Sequence, residues 1–304
     1  MTIAQNRVEA MATDDLLATS KRRELIEHLF HGLFLLSAFI GVLSVCTIGF
    51  FLIKESVAAV EFAGVSEILF GLEWLPPALY GIAPMIVGTL LSTAVAIAIG
   101  VPVGLLTAIF LAEIAPEWLV KYMRPAIELL AGIPSVVYGF FGLVVIVPLI
   151  EQLFGVPSGA TVLAGSIVLA VMILPTVIAV SDTSIRALPK QYKEGSLALG
   201  ASHIYTIFKV LLPAARSGIL TGIILGIARA IGETMAIIMV MGNAPAMPNS
   251  ILESARSLTA NIALEMSYAT GVHASALYAT GVVLLLFVML LNGTLMFLNR
   301  ERVK

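Results

Sequence analysis

The sequence predicts an all-α integral membrane protein with six transmembrane helices and both termini in the cytoplasm. Three observations support this fold class. The chain of 304 residues is 59% hydrophobic and only 12% charged, about half the charged share of a typical soluble domain. It contains six apolar segments that are long enough to cross a bilayer as helices. Its lysines and arginines are concentrated in alternate connections between those segments.

The first predicted span is 28–53, which contains no charged residue. It follows a basic stretch, but it is too long for a signal peptide and lacks an Ala-x-Ala-like cleavage site, so we predict an uncleaved anchor. The other spans are predicted at 81–112, 129–150, 160–181, 217–241 and 275–298. The second span would be about 48 Å long as a straight helix. Because the apolar core of a bilayer is about 30 Å thick, this helix should tilt, protrude or kink at Pro102.

The orientation follows from the positive charges. Of the 17 lysines and arginines, 14 lie in the connections on the side of the two termini, the opposite side has only Lys54 and Arg256, and Arg229 lies within a span. The positive-inside rule therefore places both termini in the cytoplasm. The remaining segments are then a cytoplasmic N-terminal segment 1–27, a periplasmic loop 54–80, a cytoplasmic loop 183–216, a periplasmic loop 242–274 and a cytoplasmic tail 299–304. The stretch SLTANIALEM in the second periplasmic loop should lie on the membrane surface or cap a pathway.

Several kinds of site are not expected on this chain. The single cysteine, Cys46, lies in an apolar run, and the four histidines do not have metal-ligand spacing. We therefore predict neither a metal site nor a catalytic residue. The dipeptide Gly-Lys does not occur in the sequence, which excludes a phosphate-binding loop of the G-x-x-x-x-G-K type. Any ATPase must come from a partner. The composition favours contact with the lipid bilayer and gives no indication of a nucleic-acid partner.

The fifth span contains the stretch GIARAIGETMA, in which Arg229 and Glu233 interrupt an apolar run. One charge at bilayer depth costs roughly 2.5 to 3.5 kcal/mol on insertion scales. On a continuous helix the two charges share a face with small residues, which are Gly218, Gly222, Gly226 and Ala236. This face should contact protein or a polar passage and not lipid. Two interpretations stay open at this stage: a structural ion pair one turn apart, or a site on a transport pathway.

The third span contains LLAGIPSVVYGFFGL, with Pro134 surrounded by Gly132, Gly139 and Gly142. A helix of this composition is easily bent and closely packed, and the proline frees a carbonyl group that can face a pathway. Kinked packing without a functional role is the alternative.

The cytoplasmic loop contains EGSLALGASHIYTIFKVLLP. Its spacing predicts a short helix, a glycine in a left-handed turn, and a second helix that leads into the membrane. The pattern resembles the EAA loop of ABC-importer permeases, although Gly195-Ser196 replaces the usual Ala-Ala and Val210 replaces the usual Ile. This resemblance implies an ATPase coupling loop, whereas a plain helical hairpin is the alternative. The residues that match are Glu194, Gly195, Ser196, Gly200, Val210, Leu212 and Pro213.

Three blocks together resemble the permease subunits of bacterial phosphate-specific ABC importers. They are GTLLSTAVAIAIGVPVGLLTAIFLAEIAP, IELLAGIPSVVYGFFGL and LGIARAIGETMAIIMVMGN. The resemblance covers about residues 80 to 298. The stretches GETMA, MGN and GVHASALYATG fit the PstC type better than the PstA type. The resemblance implies a type I ABC-importer permease fold with a permease core at 81–298.

The resemblance also implies partners and a mechanism. A PstA-type permease would complete the pore, two PstB-type ATPase subunits would use ATP and Mg, and a PstS-type protein would deliver phosphate from outside. ATP binding and hydrolysis would drive alternating access, and Arg229 and Glu233 would serve phosphate translocation. A guanidinium group can hold phosphate oxygens in a bidentate manner, and Glu233 would temper the positive charge so that the anion can leave.

Two other functions remain possible from the sequence. One is a secondary transporter driven by an ion gradient, against which the Glu194 to Pro213 loop argues. The other is a membrane scaffold that reports phosphate status to signalling proteins, with the charged pair purely structural.

Overall fold

The computed structural model describes the backbone of residues 2–300 and the side chains of residues 27–294. The chain forms two units, Met1–Lys54 and Glu55–Lys304. The first unit lies within helix α1, which is Thr2–Ala63. Its described side chains are mostly exposed and apolar, as expected for a lipid-facing helix. The side chains of the predicted N-terminal segment up to residue 26, and the last four residues of the predicted tail, lie outside the described residues.

The second unit is helical apart from one small hairpin. Its helices are α2 (Val65–Phe70), α3 (Ala83–Ile109), α4 (Glu117–Gly132), α5 (Ser135–Phe141), α6 (Val147–Phe154), α7 (Val162–Arg186), α8 (Lys190–Ala198), α9 (His203–Thr206), α10 (Leu212–Gly232), α11 (Met235–Val240), α12 (Leu258–Glu265) and α13 (Val272–Arg300). Three π-helical turns join consecutive helices, at Phe110–Ile114, Gly142–Ile146 and Ile207–Leu211. The antiparallel hairpin consists of β1 (Trp74–Leu75) and β2 (Leu79–Tyr80).

Six helical segments of the described chain are long and apolar enough to cross a membrane, which confirms the predicted number of spans. We number them as spans 1 to 6. They are Glu27–Ala63, Ala83–Ile114, Ser135–Phe154, Val162–Arg186, His203–Gly232 and Val272–Thr294. Pro102 lies inside α3, and the helix continues beyond it to Ile109.

Several predicted boundaries are wrong. Span 1 does not end at residue 53, because α1 continues to Ala63 and takes the first part of the predicted loop 54–80. Two neighbouring helices extend into the predicted loop 183–216, since α7 continues to Arg186 and the helix of span 5 begins at His203, and the helices within the loop agree with its predicted spacing. In the predicted loop 242–274, α12 forms a separate helix and α13 begins at Val272.

The predicted span 129–150 is broken at Pro134, just before span 3 begins, where the sequence predicted only a bend; we refer to this break as the interruption of span 3. Helix α4 ends at Gly132, and both Ile133 and Pro134 have extended backbone conformations before α5 begins at Ser135. Proline has no N–H to donate and disfavours a helical conformation in the residue before it. The chain therefore leaves one helix and starts another inside the predicted span 129–150.

Span 5 ends at Gly232, inside the predicted span 217–241, which contradicts the predicted continuous helix; we refer to the break between α10 and α11 as the interruption of span 5. Helix α10 ends at Gly232, Glu233 is extended with φ −70° and ψ 130°, and α11 starts at Met235. Glu233 and Ala236 therefore do not continue the helical face of Gly218, Gly222 and Gly226. The hydrophobic pattern could not reveal this end, because the residues on both sides of it are apolar.

Span 4 lies at the centre of the second unit and packs against spans 2 and 5. Glycines allow both neighbours to approach closely. A Cβ added at Gly218 would lie 2.0 Å from Ser184 Oγ, and one at Gly226 would lie 3.2 Å from Val177 Cγ2. Distances this short mean that a side chain at either position would crowd the neighbouring helix. The glycine face of span 5 therefore packs against span 4.

Candidate functional site

The interruption of span 5 places Arg229 and Glu233 on different structural segments. Arg229 lies in the last turn of α10 and is half-buried, and Glu233 is half-buried in the extended link. Glu233 Oε1 accepts a 3.2 Å hydrogen bond from the backbone N–H of Ala236, at the start of α11. The carboxylate thus satisfies one of the free N–H groups of a new helix.

Arg229 and Glu233 do not form the ion pair that a continuous helix would allow. Among the side chains that the structure describes, no oxygen of Glu233 lies within 4.0 Å of an Arg229 nitrogen. The end of α10 between the two residues removes the one-turn spacing on which such a pair depends. This geometry does not support the interpretation that each residue serves to neutralise the other.

The two interrupted spans meet at this site, which the sequence did not predict. Tyr138 in α5 is 8% exposed, and its hydroxyl donates a 2.8 Å hydrogen bond to the carbonyl of Leu130 in the last turns of α4. Helices α5 and α11 pack closely, since a Cβ added at Gly139 would lie 2.8 Å from Ala236 Cα. Tyr138 and Gly139 therefore lie beside the interruption of span 5 through a tertiary contact.

Helix α12 covers the interruption of span 5. The Thr259 hydroxyl donates a 2.8 Å hydrogen bond to the Glu233 carbonyl, and the Leu258 N–H donates a 2.9 Å hydrogen bond to Thr89 Oγ1 of span 2. Five residues of this helix are buried, so the prediction that it could lie on the membrane surface is wrong. The alternative prediction, that this stretch caps a pathway, stays a prediction.

The other end of α12 carries a buried polar cluster centred on Glu265. Glu265 Oε2 accepts hydrogen bonds from Trp74 Nε1 at 2.9 Å and lies 2.8 Å from His273 Nε2, while Arg256 pairs with Oε1. Burial alone would raise the pKa of the Glu265 carboxyl, but the bonds from Trp74, His273 and Arg256 and the Arg256 charge outweigh it and hold that pKa below its ordinary value. The cluster borders a cleft of about 540 Å³ with aromatic walls that include Tyr80 and Tyr268.

The predicted coupling loop has the geometry that its spacing indicated. Helix α8 is followed by Gly200 with φ +85°, and the chain then enters the helix of span 5 at His203. No residue of α8 is buried, so this helix projects from the bundle, and Glu194 and Gly195 are exposed on it. Leu199, which the sequence analysis did not single out, is 91% exposed. Val210 and Leu212 are half-buried, and Pro213 lies in the first turn of α10, two residues after the π-helical turn ends at Leu211.

Within the part of the chain that the structure describes, no group of three or more His, Cys, Asp or Glu residues could hold a metal ion. The chemistry available at the interruption of span 5 is therefore that of one guanidinium group, one carboxylate and backbone groups at helix ends. Such groups can bind and release an anion.

Sequence comparison identifies the class of protein. Residues 100–303 match the family described as "Binding-protein-dependent transport system inner membrane component". The chain is 40% identical over 304 residues to "Probable ABC transporter permease protein YqgH" of Bacillus subtilis (strain 168), and 98% of each chain is covered. It is 37% identical over 266 residues to "Phosphate transport system permease protein PstC" of Xylella fastidiosa (strain 9a5c), covering 80% of this chain and 82% of that one.

Comparison with solved structures confirms the predicted fold. The structure of the MetNI methionine ABC transporter in inward-facing conformations matches with a TM-score of 0.59. The match covers 75% of this chain and 99% of that chain, at 18% identity. A bacterial ABC transporter involved in the import of the acidic polysaccharide alginate matches with a TM-score of 0.54 at 15% identity. At these identities the likeness concerns the fold alone.

The six spans and the family match together establish a multi-pass protein of the inner membrane with the fold of a type I ABC-importer permease. The chain belongs to the family of binding-protein-dependent transport system inner membrane components.

Proposed function

We propose that this chain is the PstC-type permease subunit of an ATP-driven importer that moves inorganic phosphate across the inner membrane by alternating access. The observation that carries the proposal is Arg229, a half-buried cation beside the interruption of a membrane span in a chain with PstC relatives. A cation held at that depth is costly unless it has a function or a partner. Its guanidinium group is suited to the tetrahedral, doubly charged oxyanion that the PstC name implies.

In the proposed mechanism, Arg229 contacts the anion during its passage and Glu233 limits how tightly the anion is held. Because α10 ends between the two residues, the guanidinium group is not occupied by the Glu233 carboxylate. It is thus available to a ligand, while the negative charge of Glu233 remains near enough to favour release. A transport site must bind weakly enough to let its substrate leave.

The ATPase partner is inferred from the absence of a phosphate-binding loop in the sequence and from the projecting coupling loop. We propose that two PstB-type subunits, which use ATP and Mg, receive the segment from Glu194 to Pro213. Exposed apolar side chains such as Leu199 and Tyr205 would be covered in that contact, since apolar surface on a projecting element is typical of a protein interface. A PstA-type permease would complete the pore.

The orientation is proposed from the distribution of positive charges. Both termini and the coupling loop would face the cytoplasm, and α12 with the Glu265 cluster would face the periplasm. A PstS-type protein would then deliver phosphate on the α12 side.

The deciding experiment is transport by a reconstituted complex. Liposomes would contain this chain, its partner permease and the ATPase, with ATP inside the vesicles on the ATPase side and the phosphate-loaded binding protein on the other side. We expect uptake of phosphate, but not of sulfate, that requires ATP and is blocked by vanadate. Uptake that follows an ion gradient without ATP would favour a secondary transporter. An assembled complex that hydrolyses ATP but moves no phosphate would favour the scaffold function.

A further inference from the structure

The π-helical turn Phe110–Ile114 ends span 2, and the Leu111 carbonyl in it receives no hydrogen bond from the backbone of residue 115 or 116. The N–H of Ala115 bonds to the Phe110 carbonyl at 2.7 Å and is therefore not available to Leu111. The next residue is Pro116, which has no N–H. The Leu111 carbonyl instead accepts a hydrogen bond from the Arg186 guanidinium at the end of span 4. A side chain of span 4 thus satisfies the backbone of span 2.

The same turn carries Glu113, whose side chain is only 11% exposed. Its Oε2 atom lies 2.6 Å from Lys193 Nζ in α8 and 3.6 Å from His203 Nε2 at the start of α9. These two residues stand on opposite sides of the Gly200 turn. One carboxylate at the end of span 2 therefore contacts both halves of the coupling loop.

The two halves of the coupling loop are also bonded to each other. The hydroxyl groups of Ser196 and Thr206 lie 2.9 Å apart. The loop is thus joined directly across the Gly200 turn, and Glu113 is bonded to its first half at Lys193 and lies near its second half at His203, so the hairpin should move as one body. Movement of such a body would act on span 2 at Glu113.

The π-helical turn Phe110–Ile114 is also linked to span 4 and to α4, through Arg186 and the carboxylate of Asp182. Asp182 accepts a 2.8 Å bond from Arg186 and a 2.7 Å bond from Arg124 of α4. Arg186 in turn donates to Leu111, two residues before Glu113. Coupling loop, span 2, span 4 and α4 therefore meet within a few residues, and α4 leads to the interruption of span 3 beside Tyr138.

We propose that Glu113 is the positioning residue through which movement of the coupling loop is transmitted to the membrane spans. This inference rests on the proposed function, because it assigns the receiving end of a loop that an ATPase would move. Glu113 acts on span 2 directly and on span 4 through Leu111 and Arg186. The role is mechanical, because the Glu113 carboxylate binds Lys193 and this ion pair must persist while the coupling loop moves.

The test measures the amount of phosphate transported per ATP hydrolysed by purified, reconstituted complexes. Glu113→Gln keeps the shape of the side chain but removes its charge, and we expect a roughly fivefold lower ratio, equivalent to about 1 kcal/mol of coupling. Lys193→Gln should lower the ratio similarly. The double variant should be no worse than either single variant, because both lose the same contact. Glu117→Gln is the matched control, since Glu117 is exposed four residues further on and has no ion pair among the described side chains.

Each outcome either supports or excludes a role of the Glu113–Lys193 contact in coupling. A normal ratio in Glu113→Gln, or losses in the two single variants that multiply in the double variant, would overturn the inference. If Glu113→Gln and Glu117→Gln lowered the amount of phosphate transported per ATP equally, the inference would also be overturned, since the effect would then reflect the loss of surface charge alone. If Glu113→Gln does not assemble, the ratio in Lys193→Gln decides in the same way. A wild-type complex that hydrolyses ATP without moving phosphate would contradict the proposed function instead.

Discussion

The hydroxyl group of Thr259 donates a 2.8 Å hydrogen bond to the backbone carbonyl of Glu233, 26 residues earlier in the chain. The bond joins the first turn of α12 to the point where span 5 is interrupted. At its other end, α12 carries Glu265 and the polar cluster beside the aromatic cleft. A single short helix therefore connects the cleft with the residues proposed to contact the anion.

Thr259→Val should weaken transport, because it keeps the shape of the side chain and leaves the Glu233 carbonyl without its hydrogen bond. A buried polar group that loses its partner costs about 1 to 3 kcal/mol. We expect lower phosphate uptake and a lower thermal unfolding temperature of the purified complex. Thr259→Ser retains the hydroxyl and is the control. Equal phosphate uptake by Thr259→Val and Thr259→Ser would show that the hydrogen bond has no role in transport.

Arg229→Ala should abolish phosphate uptake while the complex still assembles. Arg229→Lys keeps the charge but loses the planar bidentate group, so partial uptake is expected. The double variant Arg229→Gln with Glu233→Gln should remain inactive, because the two side chains do not neutralise each other in the structure. Uptake is measured at matched complex levels. Near-normal uptake by the double variant would assign the two residues a structural role only.

Gly200→Val should uncouple ATP hydrolysis from uptake. Gly200 has φ +85°, and a left-handed conformation costs roughly 1 to 2 kcal/mol for an ordinary residue and more for a β-branched one. Gly200→Asn should be tolerated far better, since asparagine adopts this conformation more readily. Gly195→Ala is the matched control, because no atom would crowd its Cβ. Unchanged transport per ATP in Gly200→Val would contradict the proposed coupling role.

The Glu265 cluster should contribute stability that depends on pH. The folded state lowers the pKa of the Glu265 carboxyl below its ordinary value of 4.5. A lowered pKa means that the contribution is complete above the unfolded value and is lost as the pH falls through the folded value. Thermal unfolding of the wild type and Glu265→Gln should therefore differ most near neutral pH and converge in acid. Glu61→Gln, at an exposed position, is the control. A difference that grows in acid would contradict the assignment.

The topology can be tested by cysteine labelling in a background without Cys46. Leu199 and Asn249 are both exposed, one next to the Gly200 turn and the other in the segment between α11 and α12. Single cysteines at these positions should react with impermeant reagents from opposite sides of the membrane. Labelling of Leu199→Cys from the cytoplasmic side is expected. Reaction of both from one side would refute the orientation inferred from the positive charges.

The sequence by itself determined the features that depend on local composition. Six apolar runs specified six spans, because the length and hydropathy of a segment decide whether it can cross a bilayer. Gly200 marked a left-handed turn, because that conformation strongly favours glycine. Glycines at four-residue spacing indicated the face of span 5 that packs on span 4, since only small residues allow two helices to come so close.

Only the tertiary structure decided where span 5 is interrupted and what the interruptions of spans 3 and 5 contact. A helix ends within a membrane-spanning segment when its free backbone groups find other partners. Those partners come from outside the helix that ends: Thr259 for the Glu233 carbonyl and the Tyr138 hydroxyl for the Leu130 carbonyl. The separation of Arg229 from Glu233 and the contact of Glu113 with both halves of the coupling loop depend on the same kind of long-range bond. The hydrophobic periodicity of a segment does not reveal such bonds, because it depends only on the residues within that segment.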